Sequence, residues 1–268
     1  MATFYLLPDT SFCQMFGAVI CDGERTIVID GGTMWDAPQL AAFLRERCGG
    51  RVDAWFFTHA HHDHIGAFWK IQTEMPDIAV EKIYFHFPAT EVLTQCHSWL
   101  KEEPEIWRFL GRVADDPRYT VVRRGDVISA GNVSVAVLRT YNPEITDNLI
   151  NNSSTVYRIQ GPKSSVLILG DLGVEGGEEG MELCKAEELA ADYTQMAHHG
   201  QSGVSRAFYE YVRPKRCIWP TPAWLWDNDK GDGFDTGPWQ TVRTREWMDA
   251  LGVTEHWIEK NGLSEFEI

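Results

Sequence analysis

The residue types that suggest chemistry crowd into one short stretch. Thr58 to Gly66 reads THAHHDHIG, with four of the chain's nine histidines and one aspartate between His59 and His64. Imidazole and carboxylate suit Zn2+, Mn2+ or Fe, and no thiolate stands among them to narrow the choice. His59 and His61 are two apart, so in an extended segment they point the same way. Asp63 and His64 follow where the chain turns into a helix. This arrangement offers two nitrogens to one metal, and a carboxylate plus a nitrogen to a second. The plain alternative is a solvated polar loop, which gives no reason for so many ligand types at this spacing. His62 is left as a bystander or rim residue.

These side chains need elements to hold them. GAVIC (17–21) and TIVIDGG (26–32) predict strands joined by an Asp22-Gly23 turn. APQLAAFLRERCGG (37–50) predicts a helix with Pro38 in its first turn and glycines after its end. VDAWFFT (52–58) reads as a buried strand running straight into the histidines, and IGAFWKIQTEM (65–75) resumes helical spacing. EKIYFHF is a further strand, and 89–112 reads as helical with a break or new start at Pro104. Residues 119–140 predict a pair of strands, 153–171 a hairpin, and EEGMELCKAEELAA (178–191) one helix. DYTQMAHHG is a strand ending in histidines; SRAFYEYVRP is a helix, RCIWPT a strand and TVRTREWMDALG a helix. EHWIEKNGLSEFEI closes the chain as a strand pair turning at Asn261-Gly262. Strands with helices in both halves imply an α/β (α+β) protein of four layers, αββα. TIVIDGG and SVLILGD echo each other as apolar strands ending at an Asp–Gly corner. No low-complexity linker divides residues 1–268, which read as a single domain.

Bulk properties narrow the partners. A formal net charge of −15 repels long polyanions, so no long duplex DNA is expected as a partner. Residues 171–192 carry eight acids against the single base Lys185, which adds to that repulsion. The six cysteines contain no C-x-x-C pair and fit reduced thiols. MATFYLLPDTSF lacks a basic segment and an apolar run long enough for a signal peptide, and no stretch reaches the ~20 apolar residues of a membrane span. A cytoplasmic location without membrane partners is the expectation. Nothing in the sequence sets an oligomeric state.

THAHHDHIG resembles the T-H-x-H-x-D-H-x-G signature of the metallo-β-lactamase fold, a superfamily of αββα hydrolases holding one or two metals. The resemblance extends through VIDGG, LILGD and AHHG. It implies that Asp171, ending SVLILGD, is the carboxylate between two divalent metal ions, Zn2+ first, with Mn2+ or Fe as alternatives. It implies that one metal has His59, His61 and Asp171, and the other Asp63, His64, Asp171 and His198, with His199 lining the site. His198 is preferred to His199 because it comes first after the strand. True β-lactamases and glyoxalase II-like enzymes carry another metal histidine before the strand SSTVYRI. That place here reads NLINNSS (148–154), which resembles the ComEC-like and phosphorylcholine esterase branch, whose members are thought to act on phosphoesters.

The reaction so implied is cleavage of a phosphodiester in a small or exposed substrate by a metal-bound hydroxide, with the two ions about 3.5–4 Å apart. Asp63 is then a ligand and candidate general base. His199, Asn152 or Ser153 are candidate donors to the phosphate, and Asp30 would orient a ligand histidine. His86 is a candidate third ligand or substrate contact, although packing explains it as well; His97 reads as structural. Trp224 and Trp226 stand in a loop (219–239) with four tryptophans, which suits a cation, a base or a sugar, or else anchors the loop by burial. Two competing expectations remain: hydrolysis of a lactam, lactone or thioester, and a metal-stabilised binding module without catalysis.

Overall fold

The computed structural model describes residues 1–93, 104–113 and 115–268. His97 and Cys96 lie outside the described residues. The strands are β1 (Ala2–Leu6), β2 (Gly17–Asp22), β3 (Arg25–Asp30), β4 (Arg51–Val52), β5 (Ala54–Phe56), β6 (Ala79–Val80), β7 (Ile83–Phe85), β8 (Tyr119–Val121), β9 (Val127–Ala130), β10 (Val133–Arg139), β11 (Val156–Gln160), β12 (Ser165–Ile168), β13 (Tyr193–Gln195), β14 (Cys217–Trp219), β15 (His256–Ile258) and β16 (Ser264–Glu267). The helices are α1 (Ala37–Cys48), α2 (His62–Glu74), α3 (Thr90–Leu93), α4 (Pro104–Val113), α5 (Leu149–Asn152), α6 (Val174–Leu183), α7 (Ala186–Leu189), α8 (Arg206–Val212), α9 (Ala223–Trp226) and α10 (Thr241–Ala250).

Two seven-stranded sheets run β16-β1-β2-β3-β5-β7-β8 and β15-β14-β13-β12-β11-β10-β9. Alternation along each strand divides its side chains between two cores. On β3 and β5, Ile27, Ile29, Ala54 and Phe56 face the second sheet, while Val28 and Trp55 face α1 and α2. On β12, Val166 and Ile168 face the first sheet, while Leu167 faces the opposite helical layer with Phe208 and Met248. Three apolar layers therefore separate four structural layers, αββα. Burying a side chain such as Phe56 or Ile168 contributes roughly 1.5–3 kcal/mol each. Tyr157 spans the sandwich and donates its hydroxyl to the carbonyl of Phe57 at 2.8 Å.

The echo between TIVIDGG and SVLILGD has a structural counterpart. β3 pairs antiparallel with β2 and parallel with β5; β12 pairs antiparallel with β11 and parallel with β13. Each is the fourth strand of its sheet. Both deliver an aspartate to the same end of the sandwich.

Three expectations on elements change. The terminal segments β15 and β16 do not pair with each other: β15 joins β14 in the second sheet and β16 joins β1 in the first. Gly262, at φ 93, makes the crossing between sheets in a left-handed conformation that suits glycine. Residues 119–140 form three strands, with β8 parallel to β7 in the first sheet and β9–β10 a hairpin in the second. The helix expected over 178–191 is two, because Cys184 and Lys185 are extended; α7 then restarts with the Lys185 N–H bonded to Glu188. Among the described residues no helix is long and apolar enough to cross a membrane.

Candidate metal centre

Strand β5 ends at Phe56 and α2 begins at His62, so the ligand-rich stretch is the loop between them. The close approach of α2 to residues 33–34 explains Gly66. A Cβ there would sit 2.6 Å from the backbone nitrogen of Met34. At the second sheet, β12 runs into Gly170, at φ 56, and then Asp171, whose N–H donates to Ser154 Oγ at 3.1 Å. Ser154 is held from behind by the buried Arg139, which donates to its carbonyl and pairs with Glu179 at 2.6 Å. Ser154 ends the NLINNSS segment singled out in the sequence, whereas Arg139 carried no signal there.

After β13 the chain makes an uncommon turn. His198, His199 and Gly200 are all left-handed, at φ 50, 55 and 80. Two consecutive non-glycine residues there store strain that the surroundings must hold. Thr221 Oγ1 donates to the His199 carbonyl at 2.7 Å, and a Cβ on Gly200 would meet Trp219 at 2.6 Å.

These elements bring donors into two groups that share one carboxylate. Asp63, His64, Asp171 and His199 place ligand atoms within 4.8 Å of one another, and so do His59, His61 and Asp171. His64 Nε2 is 3.2 Å from Asp171 Oδ1; His199 Nε2 is 3.3 Å from both Asp171 Oδ2 and Asp63 Oδ2. His59 Nε2 lies 3.0 Å from His61 Nδ1 and 3.8 Å from Asp171 Oδ2. Both oxygens of Asp171 and the Nε2 atoms of His64 and His199 are buried without a hydrogen bond among the described residues. The atoms are close but not aligned on each other, as expected when they converge on an ion. Leaving such groups buried and unsatisfied is costly, so the donor set fits a divalent cation.

The opposite ring nitrogens are engaged, which orients the lone pairs inward. His64 Nδ1 is 2.7 Å from Asp30 Oδ2, which also accepts from Thr58 Oγ1 at 2.6 Å. His199 Nδ1 donates to the Pro220 carbonyl at 2.9 Å, and His198 Nδ1 to the Ser202 carbonyl at 3.1 Å. His59 Nδ1 is 3.1 Å from Thr58 Oγ1. Each Nδ1–H so used leaves Nε2 as an acceptor.

Without metal, the cluster resolves its charge internally. Burial opposes the carboxylate of Asp171, but His199 and His64 outweigh it and hold the group well below its ordinary range. Asp63 is likewise depressed against burial, by the close imidazoles of His199 and His64. Burial works against protonated His199, yet Asp171 and Asp63 push it up to about 10; Asp171 and Asp30 raise His64 in the same way. Burial and neighbouring His64 keep His59 well below the usual imidazole value.

Several expected contacts fall elsewhere. His199, the residue expected to line the site and donate to the phosphate, sits in the Asp63–His64–Asp171 group, whereas His198 Nε2 lies 3.8 Å from Asp171 Oδ2 and 3.5 Å from Asn151 Nδ2. His86 stays out of both groups and donates Nδ1–H to the Val122 carbonyl at 2.6 Å. Asn152 spends its amide on the Asp147 carbonyl and Glu175, and its oxygen on the N–H groups of Gly173 and Gly176, so it secures the start of α6. Ser153 Oγ donates to the Ile150 carbonyl, buried. Trp226 packs on Trp219 and under Arg245, in a separate cavity lined also by His256. Trp224 lines the cavity that opens over the cluster, with Phe12, Cys13, Gln14, His61, His62, Asp63 and His198. Gln14 escaped the sequence reading; its Nε2 is 3.3 Å from Asp63 Oδ2, and Gln201 Nε2 donates to its Oε1 at 2.8 Å.

Residues 13–216 match the family model of the metallo-beta-lactamase superfamily. The chain belongs to this superfamily. Membership makes it a metallo-hydrolase-type protein of a fold that binds divalent metals, and the two donor groups are its candidate metal site. Comparison with curated proteins found no match. Among solved structures, the fold protein YhfI from Bacillus subtilis aligns with a TM-score of 0.59 and 13% identity over 99% of this chain and 100% of that one. CmlA, a diiron beta-hydroxylase from Streptomyces venezuelae, aligns with a TM-score of 0.61 and 12% identity over 100% of this chain and 54% of that one. A B3 metallo-beta-lactamase with an active-site glutamic acid aligns with a TM-score of 0.50 and 16% identity over 78% and 84%. At these identities the likeness establishes the fold alone. A hydroxylase and a lactamase on one fold leave reaction and metal to be argued from the site.

Proposed function

We propose that the cluster holds two divalent metal ions and that the protein hydrolyses a phosphodiester in a small or exposed substrate. The observation that carries this reading is Asp171. Its carboxylate is buried, belongs to both donor groups, and keeps both oxygens free of hydrogen bonds among the described residues. A carboxylate shared by two cations offsets their mutual repulsion.

His59, His61 and Asp171 would hold one ion, and Asp63, His64, Asp171 and His199 the other. When bound, the ions supply Lewis-acid polarisation and an activated water at neutral pH. The chain's own residues do the rest. Asp30, Thr58 and the Pro220 carbonyl fix the tautomers that aim Nε2 inward. Asp63 turns Oδ2 towards the cavity, within 3.3 Å of Gln14 Nε2, as the atom to take a proton from the attacking water. Zn2+ or Mn2+ suits the mixed imidazole and carboxylate set.

Charge favours this bond over a lactam. A phosphodiester carries its charge at the reacting centre, where the ions sit. A β-lactam antibiotic adds a carboxylate some atoms away, and among the described residues no lysine or arginine lines the cavity to receive it. The NLINNSS segment, with no histidine in it, is the second support, since it resembles that of the ComEC-like and phosphorylcholine esterase branch. The test is a substrate panel on the Mn2+- or Zn2+-loaded protein. Turnover of bis(p-nitrophenyl) phosphate without turnover of nitrocefin or an acyl thioester supports the reading; the reverse pattern removes it.

A further inference from the structure

The cavity over the cluster, about 420 Å3, has an unusual wall. Phe12 is 88% exposed, so its ring adds nothing to the cores. Its backbone is nevertheless left-handed, at φ 58, a conformation that bulky side chains rarely adopt. Both of its peptide groups are held there. The N–H donates to Asp9 Oδ1 at 2.8 Å, and the carbonyl accepts from Trp224 Nε1 at 3.0 Å. The loop is tied further by Thr10, whose N–H and hydroxyl both donate to Asp36 Oδ1. Trp224 is braced in turn by an edge contact with Trp239 at 4.8 Å between ring centres. A residue with an exposed aromatic ring is thus held beside the candidate metal cluster by a backbone conformation that folding alone does not favour. Strain of this kind collects where a residue is displayed for use.

Among the described residues the wall carries no lysine or arginine, and no carboxylate besides Asp63. Beyond the histidines and Asp63 of the cluster itself, its side chains are Phe12, Cys13, Gln14 and Trp224. Among these described residues a second phosphate meets no lysine or arginine, and an ammonium group no carboxylate that is not already part of the cluster.

We propose that Phe12 and Trp224 form the specificity wall of the site, taking an uncharged, flat, apolar group on the non-reacting part of the substrate. The proposal rests on the reading of the cluster as a catalytic metal centre. Phe12 supplies the open face, and Trp224 both widens it and pins the Phe12 backbone. Aryl-substituted phosphodiesters are then preferred over alkyl ones of equal charge, and polyanions are excluded.

Phosphonates test this without turnover, because their P–C bond is not hydrolysed. Calorimetric titration of the Mn2+-loaded protein should show phenylphosphonate binding about tenfold more tightly than methylphosphonate, the scale of one good aromatic contact. Phe12→Ala should bring the two within about threefold, and Phe12→Tyr should restore the gap. Equal affinities in the unaltered protein, a gap that survives Phe12→Ala, no binding of phenylphosphonate, or tighter binding of aminomethylphosphonate than of the phenyl compound would each overturn it. Turnover of bis(p-nitrophenyl) phosphate by the same preparation reports separately on the catalytic reading. An active protein without aryl preference rejects the wall alone, and an inactive one with the preference rejects the hydrolase alone.

Discussion

Asp30 Oδ2 stands 2.7 Å from His64 Nδ1, joining the end of β3 to the first turn of α2. Asp30 is itself left-handed, at φ 53, and its other oxygen accepts from the Thr58 N–H at 2.8 Å. One carboxylate therefore orients a ligand histidine and anchors the loop that carries the rest. Asp30→Asn keeps the shape and removes the charge. Metal affinity, measured by competition with a chromophoric chelator, should fall about 10–100-fold, as for other residues behind a metal ligand. Unchanged affinity would mean that Asp30 serves the fold only.

The two adjacent histidines should separate by metal content. His199→Ala removes the imidazole beside Asp63 and Asp171 and should leave one metal per chain. His198→Ala should retain two, because His198 belongs to neither donor group and comes no nearer to Asp171 than 3.8 Å. Elemental analysis of the dialysed proteins distinguishes them. The opposite result would place His198 in the second donor set.

Protons should leave as metal enters. His64 and His199 lie above the ordinary imidazole value, His199 at about 10, so both are protonated in the metal-free protein at neutral pH. Their stabilising contacts are complete below about pH 6.5, the unfolded value, and are lost as pH rises through the raised folded ones. Asp63 and Asp171 are depressed, so their contribution is present above about pH 4 and lost as pH falls further. These four groups together favour the metal-free fold most between about pH 4 and 6.5, and His59, kept neutral by burial, draws the optimum towards the upper end of that range. Loading at pH 7 should release about two protons, read from binding heats in buffers of different ionisation enthalpy. Release of none would contradict these charge states.

Gly66 offers a test of the packing alone. Gly66→Ala places a methyl against the Met34 backbone nitrogen, where nothing flexible can yield. Stability should drop by roughly 1–3 kcal/mol, as in other overpacked sites, seen as a lower denaturant midpoint in the metal-free protein. A neutral result would show that α2 shifts away freely.

The layering was legible because period-2 strands and amphipathic helices alternate so regularly, and residues 59–64 were legible because their ligand types are consecutive. Asp171 stood out by its place at the end of an apolar strand. The choice between His198 and His199 was not legible. They share the same sequence neighbours, and only the left-handed turn and the Pro220 and Ser202 carbonyls decide which ring points where. Asn152 and Ser153 were suited by type to a phosphate, yet local backbone groups had first claim on them. Phe12 and Gln14 carry no motif and reach the site because the loop after β1 is tied to Trp224 of α9 and to Gln201.

The central claim is a paired metal centre that does hydrolysis, and activity as a function of metal equivalents addresses it most directly. Metal-free protein titrated with Mn2+ should gain activity on bis(p-nitrophenyl) phosphate until two equivalents are bound. Asp171→Ala, otherwise folded, should stay near background throughout. A plateau at one equivalent, or equal rates in the two proteins, would contradict the account.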